Sequence, residues 1–169
     1  IQLSSSSNVL DGALSLVAVG REVSVKNSRS TQLAEVRAQT LEVNSVGAIS
    51  DRGAAGDVIQ VTGVSTLQSS GDITLDTATN DFDTVTITNG VNVVLVDQNS
   101  FTLGGFQANG NLSTQSNGLL VSGTVQTNQL DIQAGTGRAD INNTVTVTNE
   151  ATLSGNAIVI SDSLSASAI

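Results

Sequence analysis

Residues 112–148 read LSTQSNGLLVSGTVQTNQLDIQAGTGRADINNTVTVT, and this stretch decides the fold. Six short strands fit into it, at 112–115, 119–122, 124–127, 129–133, 138–141 and 144–148. Within them apolar residues alternate with small or polar ones, as at Leu130 and Ile132 or Val145 and Val147. That is the period-two signature of a strand with one face buried. Asn117-Gly118 and Gly135-Thr136-Gly137 supply turns between them. Two sets of three strands thus follow one another.

Outward from this stretch, the same reading gives sets at 41–45, 47–50 and 58–62; at 64–68, 72–76 and 84–88; at 91–96, 101–103 and 106–108; and at 151–153, 157–161 and 164–167. The inward pairs are Val23 and Val25, Leu41 and Val43, Ile59 and Val61, Ile73 and Leu75, Val85 and Ile87, Val94 and Val96, and Ile158 and Ile160. The first 40 residues hold about two more such units, less cleanly marked. Residues 32–43 contain the helix formers Leu33, Ala34, Glu35, Arg37 and Ala38, but Val36, Thr40 and Leu41-Glu42-Val43 favour strand. Elsewhere no window has an apolar stripe at helical spacing.

A repeat of this size with three short strands per turn predicts an all-β fold, a right-handed parallel β-helix (solenoid). We expect a single repeat domain over 1–169, part of a longer rod, with coils clearest over 41–167. Eight coils at about 4.8 Å each give a rod of roughly 35–40 Å. The competing fold is an antiparallel sandwich, in which Asn89-Gly90 forms a type I′ hairpin turn. A sandwich usually buries a Trp or Tyr, and this chain has neither. Repeat spacing and aromatic scarcity favour the coil.

Composition narrows function by exclusion. The 169 residues include no Cys, His, Pro, Met, Trp or Tyr and three Phe. Without Cys and His there is no disulfide, thiolate, zinc-finger or imidazole acid–base chemistry. Six Lys and Arg face 15 Asp and Glu, a net charge of −9. Nucleic acid needs a basic groove and, for single strands, stacking platforms; neither is present. Hydrophobic residues at 38% and charged ones at 12% place the chain outside simple disorder. No stretch is apolar for long enough to span a bilayer as a helix. The start at Ile1 reads as a processed product or a piece of something longer, and Ile1-Gln2-Leu3 and 164–169 show no polar cap.

Ser69-Ser70-Gly71-Asp72-Ile73-Thr74-Leu75, then Asn80-Asp81-Phe82, Val85, Val91-Asn92-Val93-Val94-Leu95-Val96-Asp97 and Leu103-Gly104 carry a resemblance. They resemble the degenerate repeats of large secreted bacterial surface proteins of the filamentous-haemagglutinin-like adhesin class. Leu41-Glu42-Val43, Gly47-Ala48-Ile49, Val61, Gly63 and Thr66-Leu67 look like the preceding part of the same unit, which recurs more weakly from Leu112 to Leu130. The resemblance covers about residues 40–160. It implies a shaft of stacked coils, exported by an outer-membrane partner, secreted and displayed at the cell surface. It supplies no secretion domain, receptor-binding module or binding specificity.

Several residues invite a chemical reading. Asp72, Asp76, Asp81, Asp83 and Asp97 are the densest acidic group and the calcium candidates, since calcium takes six to eight oxygens. The glycine-rich calcium nonapeptide and the EF-hand spacing are both missing, and loop aspartates commonly bond backbone amides. Asp51, Arg52 and Asp57, or Arg138 with Asp140, imitate the clusters of β-helical polysaccharide-cleaving enzymes. Hydrolysis needs two carboxyl groups at set separation, and no aromatic sugar platform exists. The runs Thr84-Val85-Thr86-Ile87-Thr88 and Thr144-Val145-Thr146-Val147-Thr148 raise ice binding, but 119–127 breaks the array and strand propensity explains the threonines. Asn80, Asn92, Asn109, Asn111, Asn117, Asn142, Asn143 and Asn149 fall at corners, where amides can ladder between coils. Phe82, Phe101 and Phe106 read as core or corner fillers, and any left exposed becomes a contact candidate.

The expected function is therefore a non-catalytic structural shaft segment with no cofactor and no resident metal. Its expected partners are adjacent coils or copies of the same protein end to end. The alternative is a β-helix that binds carbohydrate or matrix protein, such as a host-surface glycan, through one lateral face.

Overall fold

The computed structural model describes residues 1–108 and 110–169; Asn109, one of the expected corner amides, lies outside the described residues. Among the described residues eighteen strands form one sheet, and every pairing among them is parallel. The antiparallel sandwich is thereby excluded. Asn89-Gly90 is a corner and not a hairpin turn: the strands on either side of it pair with other strands.

The chain opens with β1 (Gln2–Leu3) and two 15-residue strands, β2 (Ala13–Asn27) and β3 (Thr31–Ser45). Next come alternating short and long strands: β4 (Ile49–Asp51), β5 (Ile59–Ser69), β6 (Ile73–Leu75), β7 (Asp81–Asn89), β8 (Val93–Val96) and β9 (Phe101–Gln107). Only then does the pattern settle into threes, with β10 (Leu112–Gln115), β11 (Leu119–Val121) and β12 (Val125–Thr127). The next three are β13 (Leu130–Gln133), β14 (Arg138–Ile141) and β15 (Val145–Val147), then β16 (Ala151–Ser154), β17 (Ala157–Ile160) and β18 (Leu164–Ser165).

The reason for the long early strands lies in their corners. Register shifts fall between Ala18 and Glu22, Ala38 and Leu41, and Val61 and Val64. There the chain bends through a bulge without leaving the ladder. In the later coils a turn at Ser122-Gly123 or Asn142-Asn143 interrupts the strand instead. Gly123 has to be glycine: a Cβ there would run into the Gly104 carbonyl of the coil before.

Register aligns the core in columns. One runs Leu3, Val25, Val43, Leu67, Ile87, Phe106, Val125, Val145 and Leu164, nine rungs in all. We call the face it lines face 3. A second column, on face 1, runs Thr31, Ile49, Ile73, Val93, Leu112, Leu130 and Ala151. Face 2 carries Phe101, Leu119, Ala139 and Ile158 beside Leu103, Val121, Ile141 and Ile160. Most of these side chains are fully buried and form one continuous cluster, the aliphatic interior of a β-solenoid of about eight turns.

Three expectations are corrected. Residues 64–91 contain a strand segment that the sets of three omitted: β7 begins at Asp81, and Phe82 fills the interior. In β8 the inward residues are Val93 and Leu95, with Val94 and Val96 turned outward, because a run of four apolar residues gives no alternation by which to choose a face. Ile158 and Ile160 are 44% and 47% exposed despite standing in register with the buried Ala139 and Ile141. Residues 32–43 are strand, with Leu33, Val36, Ala38, Leu41 and Val43 inside.

Candidate lateral groove and the placement of polar residues

Polar residues sit where coils meet. At one corner, both the backbone N–H and the Nδ2 of Asn92 donate to Asp72 Oδ1, at 2.9 and 3.1 Å. The Asn111 N–H donates to Asn92 Oδ1 at 3.2 Å, Asn128 Nδ2 to Asn111 Oδ1 at 3.1 Å, and Asn149 Nδ2 to Asn128 Oδ1 at 2.6 Å. Each link thus runs from an N–H of one coil, side-chain or backbone, to the side-chain oxygen of the coil before. The expected amide ladder exists, and Asp72 is its first member.

The other calcium candidates have separate surroundings. Asp81 accepts from Gln60 Nε2 and Asn99 Nδ2, both at 3.0 Å. Asp83 is exposed and accepts from Thr84 Oγ1 at 3.2 Å, and Asp76 is exposed just after β6. Asp97 is buried; its two oxygens accept from the Phe82 and Asn99 N–H groups at 2.7 and 2.8 Å. Burial pushes the Asp97 carboxyl above the usual carboxylate range, against the pull of those two amides. Among the described residues, no group of three or more His, Cys, Asp or Glu side chains is arranged to hold a metal ion.

The two Arg–Asp sets are ion pairs within their own strands or loops. Arg52 clasps Asp57 through Nε and one terminal nitrogen at 2.8 and 2.6 Å, and Asp57 also accepts the Ala54 N–H at 3.1 Å. Arg52's hydrogen bond holds the Asp57 carboxyl below its ordinary value. Asp51 is engaged elsewhere, accepting Thr77 N–H and Asn80 Nδ2 at 3.0 and 2.8 Å. Arg138 Nε meets the Asp140 carboxylate at 2.7 Å on face 2.

Face 2 also carries a depression on the side of the rod. A cavity of about 430 Å³ is lined by Asp83, Thr102, Asn117, Leu120, Arg138 and Asp140, among others. A second, of about 300 Å³, adjoins it through Asp83 and Ser100, which line both. Sequence reasoning singled out Asp83, Arg138 and Asp140 separately; it missed that Thr102, Leu120 and Asp140 are successive partners on one outward row. Their spacing of 18 and 20 residues was the available signal. The three Phe rings give the groove no stacking surface, since Phe82, Phe101 and Phe106 are 2%, 3% and 1% exposed. They are core, and none is left on the surface as a contact.

The all-parallel ladder and the single continuous core make the molecule a repetitive β-solenoid scaffold. Residues 20–89 are similar to a family described as repeats of unknown function (DUF5649), a stretch running from within β2 to the end of β7. No curated protein and no solved structure matches the chain.

Proposed function

We propose that this chain is a section of a non-catalytic shaft displayed on a bacterial cell surface, of the filamentous-haemagglutinin-like adhesin kind, which spaces or presents adhesive regions borne elsewhere. In this reading the coil winds right-handed with three faces per turn, as parallel strand crossovers strongly favour. The protein is secreted through an outer-membrane partner. The observation that carries the reading is the nine-rung column of face 3, eight aliphatic side chains and Phe106, which runs in register from β1 to β18. No coil buries its apolar side alone, so stiffness and stability accumulate from neighbour to neighbour. The acidic, ring-free surface and the resemblance over residues 40–160 support it further.

Electron microscopy of the intact parent assembly tests this. Long thin rods with a repeat of about 4.8 Å along the axis, labelled at this segment on unpermeabilised cells, support the shaft. Compact particles, or label reached only after lysis, overturn it.

A second reading is a glycan- or matrix-protein-binding face, favoured by the polar groove through Asp83, Thr102, Arg138 and Asp140. Saturation-transfer NMR against a panel of neutral and acidic oligosaccharides distinguishes the two. Signals lost in Arg138→Ala would support lateral recognition, and a silent panel leaves the spacer.

A further inference from the structure

We infer that face 3 is a contact between copies: two chains pair side by side through it, antiparallel, about a two-fold axis at the Gly105 rung. The pairing rests on the outward residues of face 3 and needs no free end. Only its setting, between shafts standing on opposed surfaces, rests on the shaft reading.

The first argument is charge. The chain carries a net charge of −9. Between residues 64 and 148 all seven carboxylates and Arg138 lie on faces 1 and 2 or at the corners. The face 3 segments at 64–69, 84–89 and 105–107, with β12 and β15, carry no charge. Two acidic rods repel through their charged faces, and this uncharged side is where they can approach.

The second argument is that the face is complementary to itself. One outward row runs Thr66, Thr86, Gly105, Thr124 and Thr144. Residues 119–127 thus do not break the threonine array: register sets Thr124 into it, and Gly105 is the gap. A Cβ at Gly105 would meet only the Thr124 carbonyl, at 3.6 Å, so the gap is open. The row reads the same from either end. Beside it runs a second outward row, Gln68, Thr88 (with Asn89 next to it at a bulge), Gln107, Gln126 and Thr146. A two-fold along the strand direction at the Gly105 rung sets these rungs against each other in reverse order. Gln68 then faces Thr146 and Thr88 faces Gln126, a long amide against a short hydroxyl each time. Such pairs can exchange hydrogen bonds. At the centre the two Gln107 side chains lie beside the two Gly105 gaps, and Thr86 faces Thr124. An isologous contact requires a patch of this self-complementary kind. Five rungs span only about 20 Å, at the low end of specific interfaces, so the pairing is transient and is read by trapping.

The chain has no Cys, so single cysteine variants of the full chain, each checked for β-sheet circular dichroism, trap the contact under mild oxidation. Gln107→Cys alone should form disulfide dimers several-fold faster than Gln115→Cys, an exposed position of β10 on face 1. Thr86→Cys should dimerise slowly alone and several-fold faster when mixed with Thr124→Cys, isotope labelling of one partner identifying the mixed dimer by mass. Adding Gln107→Glu to both partners should abolish that gain, because it sets two carboxylates against each other. Thr86→Cys dimers that form as fast alone as in the mixture overturn the antiparallel two-fold. Rates on face 3 no higher than that of Gln115→Cys overturn the pairing, and leave the shaft reading standing where the unmodified chain still scatters as a rod.

Discussion

A hydroxyl that faces the inside of a coil must find an acceptor or go without. Ser65 stands between Leu41 and Val85, and Thr114 stands two residues along β10 from Leu112, itself between Val93 and Leu130. Both side chains are buried, and neither oxygen has a hydrogen-bond partner among the described residues. An unsatisfied buried hydroxyl costs stability, and Val has nearly the shape of Thr without that oxygen. Thr114→Val is therefore expected to stabilise the fold by about 1 kcal/mol, read as a higher urea midpoint at unchanged m. A lower midpoint would mean that the hydroxyl is engaged after all. The two perturbed aspartates act in opposite directions with pH. Asp97 binds its proton more tightly folded than unfolded, so its contribution is full below the unfolded value of about 3.9 and declines as pH rises through the folded value. Asp57 is the reverse: its contribution is present above about 3.9 and is lost as pH falls through the lowered folded value. Asp97→Asn should flatten the decline above about pH 4, and Arg52→Ala should flatten the acid-side loss, in urea melts across pH. Curves that stay parallel to the unmodified chain's would refute both assignments.

At the scale of the element, the coil is a module that can be cut out at its register. Leu112 pairs with Val93 on one side and Leu130 on the other, and the same holds for Leu119 between Phe101 and Ala139 and for Val125 between Phe106 and Val145. Deleting residues 112–129 joins Asn111 to Leu130 and leaves every column in phase. The shortened chain is expected to fold as a rod shorter by about 4.8 Å, whereas deletion of 112–120 alone throws the later strands onto the wrong face and should give aggregate. Circular dichroism and small-angle scattering of both deletions decide it; two equally folded products would mean that register is not what holds the coils together. This modularity was legible where turns break the strands, as at Asn117-Gly118 and Gly135-Thr136-Gly137. It was obscured wherever a bulge makes the corner. Asp81-Phe82 vanished into a supposed gap because β7 carries two faces in one unbroken strand. The apolar run of β8 gave the wrong phase for the same kind of reason, since alternation is informative only when outward positions are polar. The groove on face 2 was illegible for a different cause: its residues meet across coils, and only the register brings Asp83, Thr102 and Asp140 to one side.

The whole molecule is close to one-dimensional, so the position of a coil along the axis, more than its composition, should set its local stability. A middle coil is covered on both sides: Leu67 sits between Val43 and Ile87, and all three are buried to 1% exposure or less. An end coil is covered on one side. Leu3 and Leu164 head the same column but remain only partly buried, and Ile158 and Ile160 show nearly half of their surface. Each end coil therefore lacks one of the two interfaces that stabilise a middle coil, while paying the same entropy for its own ordering. Native-state hydrogen exchange of dilute protein should accordingly show a gradient, with the amides of Val43, Leu67 and Ile87 slowest and those of Leu3 and Leu164 fastest. Removing residues 150–169 should then transfer the fast-exchanging end to β13, β14 and β15 and leave the central amides nearly unchanged. Uniform protection along the axis at low concentration would instead mark a single all-or-none unit, and would defeat the neighbour-by-neighbour account on which the shaft reading depends.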